Sequence, residues 1–136
     1  MFTNGCFDII HRGHVEYLHR VKSYGDVLIV GINSDGSVMR LKGENGLYVN
    51  ENERAYIVSQ LLPVDYVYVF NEDNPYDLIK MVEPNTLIKG SDYSLNEIIG
   101  RDPVEKKGGR VITIPLIEGR STTDLIKKIQ LQKNIV

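Results

Sequence analysis

Phe2-Thr3-Asn4-Gly5-Cys6-Phe7-Asp8-Ile9-Ile10-His11-Arg12-Gly13-His14 is an apolar start that breaks at Asn4-Gly5 and then sets two histidines around a glycine. The pattern predicts a short strand, a small-residue turn and the start of a helix. His11 and His14 stand three apart, so both rings fall on one side of a first helical turn, and Gly13 lets a bulky anion approach the backbone. A helix start also offers unpaired N–H groups and the positive end of the macrodipole, so imidazoles and amides converge on one negative group. This is a phosphate-handling arrangement. Two histidines at this spacing are elsewhere often just half-buried helix residues; the turn, aromatic and acid that precede them favour the phosphate reading here.

Beyond this stretch, short β-branched runs alternate with helical patterns. Strands are predicted at Phe2–Asn4, Val27–Ile32, Tyr66–Phe70, Thr86–Lys89 and Arg110–Leu116. Helices are predicted at Gly13–Tyr24, Ser34–Arg40, Glu51–Leu62, Pro75–Val82 and Ser121–Gln132, with a broken helical stretch over Ser94–Lys107 that Pro103 splits in two. The alternation gives a doubly wound α/β fold with a five-stranded parallel sheet. Such a sheet binds ligands beyond the carboxyl ends of its strands. The polar motifs obey that rule: Asn4-Gly5 and His11, Asn33-Ser34-Asp35, Asn71-Glu72-Asp73, Gly90-Ser91-Asp92 and Gly119–Thr123 each follow a strand, so all are expected on one rim.

The chain has 136 residues, a net charge of −2 and one cysteine. That length fits a single domain over 1–136. Basic residues are scattered and no run of five or six like charges occurs, which argues against a nucleic-acid or membrane-surface partner. A lone cysteine forbids an internal disulfide, and neither a signal-peptide pattern nor a membrane-length apolar run is present, so a cytoplasmic setting is expected. Cys6 reads as a small buried residue at a strand end. His19 reads as a solvated helix residue, and Tyr48, Tyr56, Tyr66, Tyr68 and Tyr76 as strand and core packing.

Several side chains are candidates for chemistry. Ser121-Thr122-Thr123 opens a helix, so its hydroxyls and N–H groups suit a polyphosphate, while serving equally as an N-cap. Lys42 reads as a cation for a phosphate or as a solvated lysine. Arg54 reads as a site residue or an i,i+4-paired helix charge. Asp8 and Asp92 are the acids nearest the expected phosphates, and either suits Mg²⁺, which takes one or two carboxylates and otherwise substrate phosphates and water. No metal cage is legible, so the metal ligands stay unassigned.

F-D-x-x-H-x-G-H at Phe7–His14 resembles the signature of the cytidylyltransferase-like nucleotidyltransferases, which join a nucleoside triphosphate to a phosphorylated small molecule and release pyrophosphate. Thr3–Asp8, Asn33–Asp35, Arg40–Gly43, Ile88–Tyr93 and Gly119–Thr123 together look like the nucleotidyltransferase half of the ADP-heptose synthesis proteins, over nearly the whole chain. No sign of the sugar-kinase half often fused to that domain is seen. The resemblance implies a Rossmann-like fold with His11, His14 and Lys42 catalytic. It implies nucleotide contacts from Thr3, Asn4, Gly5, Cys6, Phe7 and Gly13, and from Arg54, Gly90, Asp92, Ser121, Thr122 and Thr123. Asn33, Asp35 and Tyr93 are implied on the acceptor, Tyr93 because it adjoins Asp92.

The expected reaction is AMP transfer from ATP, with Mg²⁺, to a sugar 1-phosphate, heptose first. Glycerol-3-phosphate cytidylyltransferases share H-x-G-H but carry an arginine where this chain has Pro115-Leu116-Ile117-Glu118-Gly119, and guanylyl transfer or a turnover-free nucleotide-binding module are further alternatives. Ser91 stands where the heptose enzymes usually have a second glycine. Related enzymes are commonly dimers, so a homodimer falls within expectation.

Overall fold

The computed structural model describes residues 1–43, 46–91, 97–116 and 121–133. In chain order these form β1 (Phe2–Gly5), α1 (Arg12–Lys22), β2 (Ile29–Asn33), α2 (Asp35–Lys42), α3 (Glu51–Ser59), β3 (Tyr66–Phe70), α4 (Tyr76–Val82), β4 (Thr86–Gly90), α5 (Arg101–Lys106), β5 (Arg110–Ile114) and α6 (Thr122–Lys133). The five strands make one sheet in the order β3-β2-β1-β4-β5. Every pairing is parallel, with Phe2 opposite Ile29 and Leu87, Ile29 opposite Tyr66, and Thr86 opposite Arg110. This is the expected Rossmann-like sheet. The chain winds from central β1 outward to β3, then returns to the other side of β1 for β4 and β5, so a crevice opens at the carboxyl ends of β1 and β4.

Strand alternation sends side chains into two cores, one on each face of the sheet. Val30, Ile32 and Ile88 meet Leu18 and Val21 of α1 and Val58 of α3 on one face. Phe2, Phe70 and Leu87 meet Leu78 and Ile79 of α4 and Val104 of α5 on the other. Gly31 is needed in β2 because a Cβ there would stand 2.8 Å from the Phe2 ring. The helices between strands start on side-chain caps: Ser34 Oγ accepts the N–H of Ser37, and Asn50 Oδ1 accepts the N–H of Glu53. Asn74 Oδ1 accepts the N–H of Tyr76 just before α4.

Three expectations change. Tyr48, Tyr56, Tyr66, Tyr68 and Tyr76 do not pack in the core; all are exposed, Tyr56 by 70% and Tyr66 by 65%. Tyr66 and Tyr68 stand on β3, an edge strand, where one face meets the core through Val67 and Val69 and the other meets water. Pro103 does not split α5 but lies within its first turn, where a missing N–H removes no intrahelical bond. Within the described residues α5 begins after Gly100, which takes φ 89°, and residues 94–96 of the expected stretch lie outside them. Finally, α3 ends at Ser59 and β5 at Ile114, short of the expected ends at Leu62 and Leu116.

Candidate active site

The turn from β1 into α1 folds around the two imidazoles. His11 is the N-cap of α1, and its Nδ1 accepts the N–H of Gly13 at 3.0 Å. His14 answers it, its Nδ1 accepting the N–H of His11 at 3.1 Å. The pair forms a reciprocal capping box, with imidazoles in place of the usual hydroxyl and carboxylate. Ring centroids are 4.0 Å apart. Because both Nδ1 atoms accept, each neutral ring carries its proton on Nε2. Burial, and then the neighbouring His11, push His14 down to about 4, so it is neutral at pH 7. No acid in the first turn of α1 offsets its positive end.

Phe7 fixes this turn. Its backbone takes φ 49°, a left-handed conformation uncommon for a bulky residue, and its ring lies 5.6 Å from that of His14. Gly5 makes the room: a Cβ there would stand 3.0 Å from the Phe7 ring. Strain of this kind concentrates where a backbone is held for function.

A cavity of about 1010 Å³ opens at the crevice. It gathers most of the residues singled out in the sequence: Asn4, Gly5, Cys6, Phe7, Gly13, His11 and His14 from the first turn, Asn33 and Lys42 from the ends of β2 and α2, Gly90 from β4, and Ser121, Thr122 and Thr123 from α6. Cys6 lines the wall rather than being fully buried. Thr3 lies outside it, fully buried, its hydroxyl 2.9 Å from that of Tyr17. Asp92 and Tyr93 lie outside the described residues, as do Gly119 and Arg120 of the G-R-S-T-T stretch.

Arg54 and Asp35 also lie off the cavity. Arg54 is 1% exposed. Its Nε donates to Val49 O at 2.8 Å, its Nη1 to Cys6 O at 2.7 Å and Asn33 O at 2.8 Å, and its Nη2 to Asp35 Oδ1 at 2.9 Å. Arg54 is neither the i,i+4-paired helix charge nor a cavity-lining residue, the two readings its sequence allowed, but a buried fork that ties three loop ends together. Asp8 works beside it. Its two carboxylate oxygens accept the N–H groups of Tyr48 and Val49, each at 2.9 Å. On the far side, Ser121 Oγ accepts the N–H of Asp124 at 3.0 Å, capping α6 while lining the cavity. The hydroxyl of Thr122 donates to Ile9 O at 3.2 Å, joining α6 to the first turn.

Residues 2–128 match the family model described as cytidylyltransferase-like. The chain belongs to the cytidylyltransferase-like family. It is a nucleotidyltransferase. It is 53% identical over 129 residues to the bifunctional protein HldE of Geobacter metallireducens and 50% identical over 129 residues to that of Geobacter sulfurreducens, in each case over 95% of this chain. The chain spans about a quarter of the length of those relatives, 26% in both. Among solved structures, the lipopolysaccharide core biosynthesis protein from Thermoplasma volcanium is similar with a TM-score of 0.72 and 28% identity, covering 86% of this chain and 96% of that one. A pantothenate synthetase from Thermus thermophilus shares the fold, with a TM-score of 0.56 at 18% identity, over 85% of this chain and 55% of that one.

This cytidylyltransferase-like site holds residues that sequence reasoning passed over. Lys127 and Gln130 of α6 line the cavity with Thr123. Their spacing of four and three was legible as one helical face. Lys89, inside the Ile88–Tyr93 stretch, Asn74 and Tyr17 also line it, as does Asp73 of the Asn71-Glu72-Asp73 motif expected on the rim. Asn4 Oδ1 is buried without a hydrogen bond, an acceptor unmet within the protein. Among the described residues no cluster of three or more His, Cys, Asp or Glu forms a metal cage, and no helix is long and apolar enough to cross a membrane.

Proposed function

We propose that this nucleotidyltransferase moves AMP from ATP to a sugar 1-phosphate, with a heptose as the sugar, and releases pyrophosphate. The observation that carries the transfer chemistry is the reciprocal histidine cap, which commits both Nδ1 atoms to the backbone and leaves Nε2–H as the donor of each ring. The choice of substrate is supported by half-identity to HldE over 95% of the chain and by motifs that look like those of ADP-heptose synthesis proteins.

In this reading an acceptor phosphate oxygen attacks the α-phosphorus opposite the departing pyrophosphate, and the phosphorus to pyrophosphate bond breaks as the new bond forms. No covalent intermediate on the protein is needed, so catalysis is positioning and charge stabilisation. His11 and His14 donate to the α-phosphate and its bridging oxygen. The neutral state of His14 makes it a donor that strengthens as negative charge develops, rather than a proton source. Ser121, Thr122, Thr123 and the amides at the head of α6 take the polyphosphate tail, and Lys42, also in the cavity lining, neutralises it. Asn4 Oδ1 suits a hydroxyl or amino hydrogen of a substrate. Asn33 and Asp35 stand on the acceptor side of the reading, Asp35 acting through Arg54.

Both oxygens of Asp8 are engaged by amides. The donor set therefore fits a magnesium ion carried chiefly by nucleotide phosphates and water. When bound, that ion supplies charge neutralisation on the phosphates.

Pyrophosphate release from each of the four nucleoside triphosphates with magnesium, against heptose 1-phosphate, glycerol 3-phosphate and no acceptor, tests this. ATP with heptose 1-phosphate is the expected pair. Turnover of CTP with glycerol 3-phosphate moves the substrate to that alternative, and nucleotide binding with no release replaces turnover with a binding module.

A further inference from the structure

Asp8 and Arg54 grip the same residue, Val49, through its N–H and its carbonyl. Asp8 accepts the N–H of Val49 and that of Tyr48, while Arg54 donates to the carbonyl of Val49 and, through Nη1, to the carbonyl of Cys6 beside Asp8. Asp8 is 8% exposed and Arg54 1%. The segment held this way carries Gly46 and Tyr48 into the cavity wall. It also touches Lys42 directly: a Cβ placed on Gly46 would stand 2.5 Å from Lys42 Cβ, so the glycine backbone lies flat against the lysine stem. The other end of the helix that carries Lys42 is held by the same guanidinium, through Asn33 O and the Asp35 carboxylate. The stem of Lys42 is thus met by Gly46, and the helix that carries it is held at its other end.

We propose that Asp8 and Arg54 are positioning residues, a latch that closes residues 46–50 onto the first turn and acts on turnover by aiming Lys42 into the cavity. The proposal rests on the nucleotidyl-transfer reading of the site. Neither latch residue needs to touch substrate. A carboxylate that accepts two successive amides and a guanidinium that spans three carbonyls are rigid, directional elements, and a displacement near 1 Å at a reacting group can cost about 100-fold in rate.

The test is a set of double-variant cycles on the full chain, using whichever nucleotide and acceptor pair the wild type turns over. Asp8→Asn keeps the shape but sets an amide NH₂ against one backbone N–H; kcat is expected to fall about 10- to 100-fold, with the affinity for the nucleotide measured calorimetrically changing less than about threefold. Combined with Lys42→Ala, it should cost no more than Lys42→Ala alone, to within about twofold, because both act on one cation. Gly46→Ala, which leaves Asp8 and Arg54 intact but pushes on the lysine stem, should show the same loss and the same non-additivity, and it serves where Asp8→Asn folds poorly. Val104→Ala, a cavity in the far core, controls for stability and should leave kcat in place.

Losses that multiply in the double variants, or an equal loss from Val104→Ala, overturn the latch. Amide exchange at Tyr48 and Val49 judges it without substrate: faster exchange in Asp8→Asn supports it, and unchanged protection overturns it. If no pair is turned over by the wild type, the transfer reading fails while exchange still decides the latch.

Discussion

The two walls of the cavity are built by different means. On the side of the first turn, buried ionic groups bind loop to loop: Arg54 reaches three carbonyls and Asp35, Asp8 holds two amides, and the two histidines together cap the start of α1. On the side of α6, Ser121 caps its own helix, Thr122 makes one hydrogen bond to Ile9, and apolar Ile129 and Leu131 are 56% and 68% exposed. The first wall gains directional bonds from side chains that are themselves buried, Arg54 and Asp8, where each is strong; the second rests on a cap and a partly covered face. On the proposed reading, fixed geometry is concentrated where the reacting phosphorus is expected, and adjustability where the polyphosphate tail is expected to bind.

Four measurements bear on that contrast, from the largest effect down. Removing a donor from the rigid wall should hurt most: His14→Ala is expected to lower kcat about 100- to 1000-fold with the circular dichroism spectrum unchanged, and near-normal turnover would remove the histidines from the chemistry. Arg54→Met orphans three carbonyls and a carboxylate, so urea unfolding should show a loss of about 3 kcal/mol or more; a change below about 1 kcal/mol would mean that the loops are held by something else.

Acidification comes third. His14 is held at about 4 in the fold against 6.5 for the free group, so the unfolded chain binds the extra proton between those values. The stability from this ring is complete above about pH 6.5 and is lost as pH falls towards 4, on the order of 2 kcal/mol after allowing for the exposed part of the ring. Wild type should lose that much more than His14→Gln between pH 7.5 and pH 4; parallel losses in the two proteins would contradict the shift. The smallest effect belongs to the other wall. Ser121→Ala should cost about 1 kcal/mol through the lost cap and raise the KM for nucleotide more than it lowers kcat, whereas an equal fall in kcat would make α6 as fixed as the first turn.

The sheet was legible because its strands are β-branched runs and its helices start at Ser34 and just after Asn50 and Asn74, so local chemistry and tertiary fold agree. The histidine site was legible for a similar reason, since all its parts lie within fourteen residues. What stayed hidden depends on distant partners. Arg54 in the first turn of a polar helix gives no sign that carbonyls at residues 6 and 33 meet it. Asp8 reads as an acid for metal or phosphate until amides forty residues on close over it. The exposure of Tyr66 and Tyr68 follows from β3 being an edge, and strand order is not written in any one strand.

Gly5 gives the fold a narrow tolerance at an unexpected place. A single methyl group there would press on the Phe7 ring, which has little freedom at its left-handed backbone, and the ring would pass the push to the His14 imidazole behind it. Mutational drift at Gly5 is thus penalised through a neighbour's neighbour, and a variant library of this domain should find the glycine nearly as intolerant as the histidines themselves.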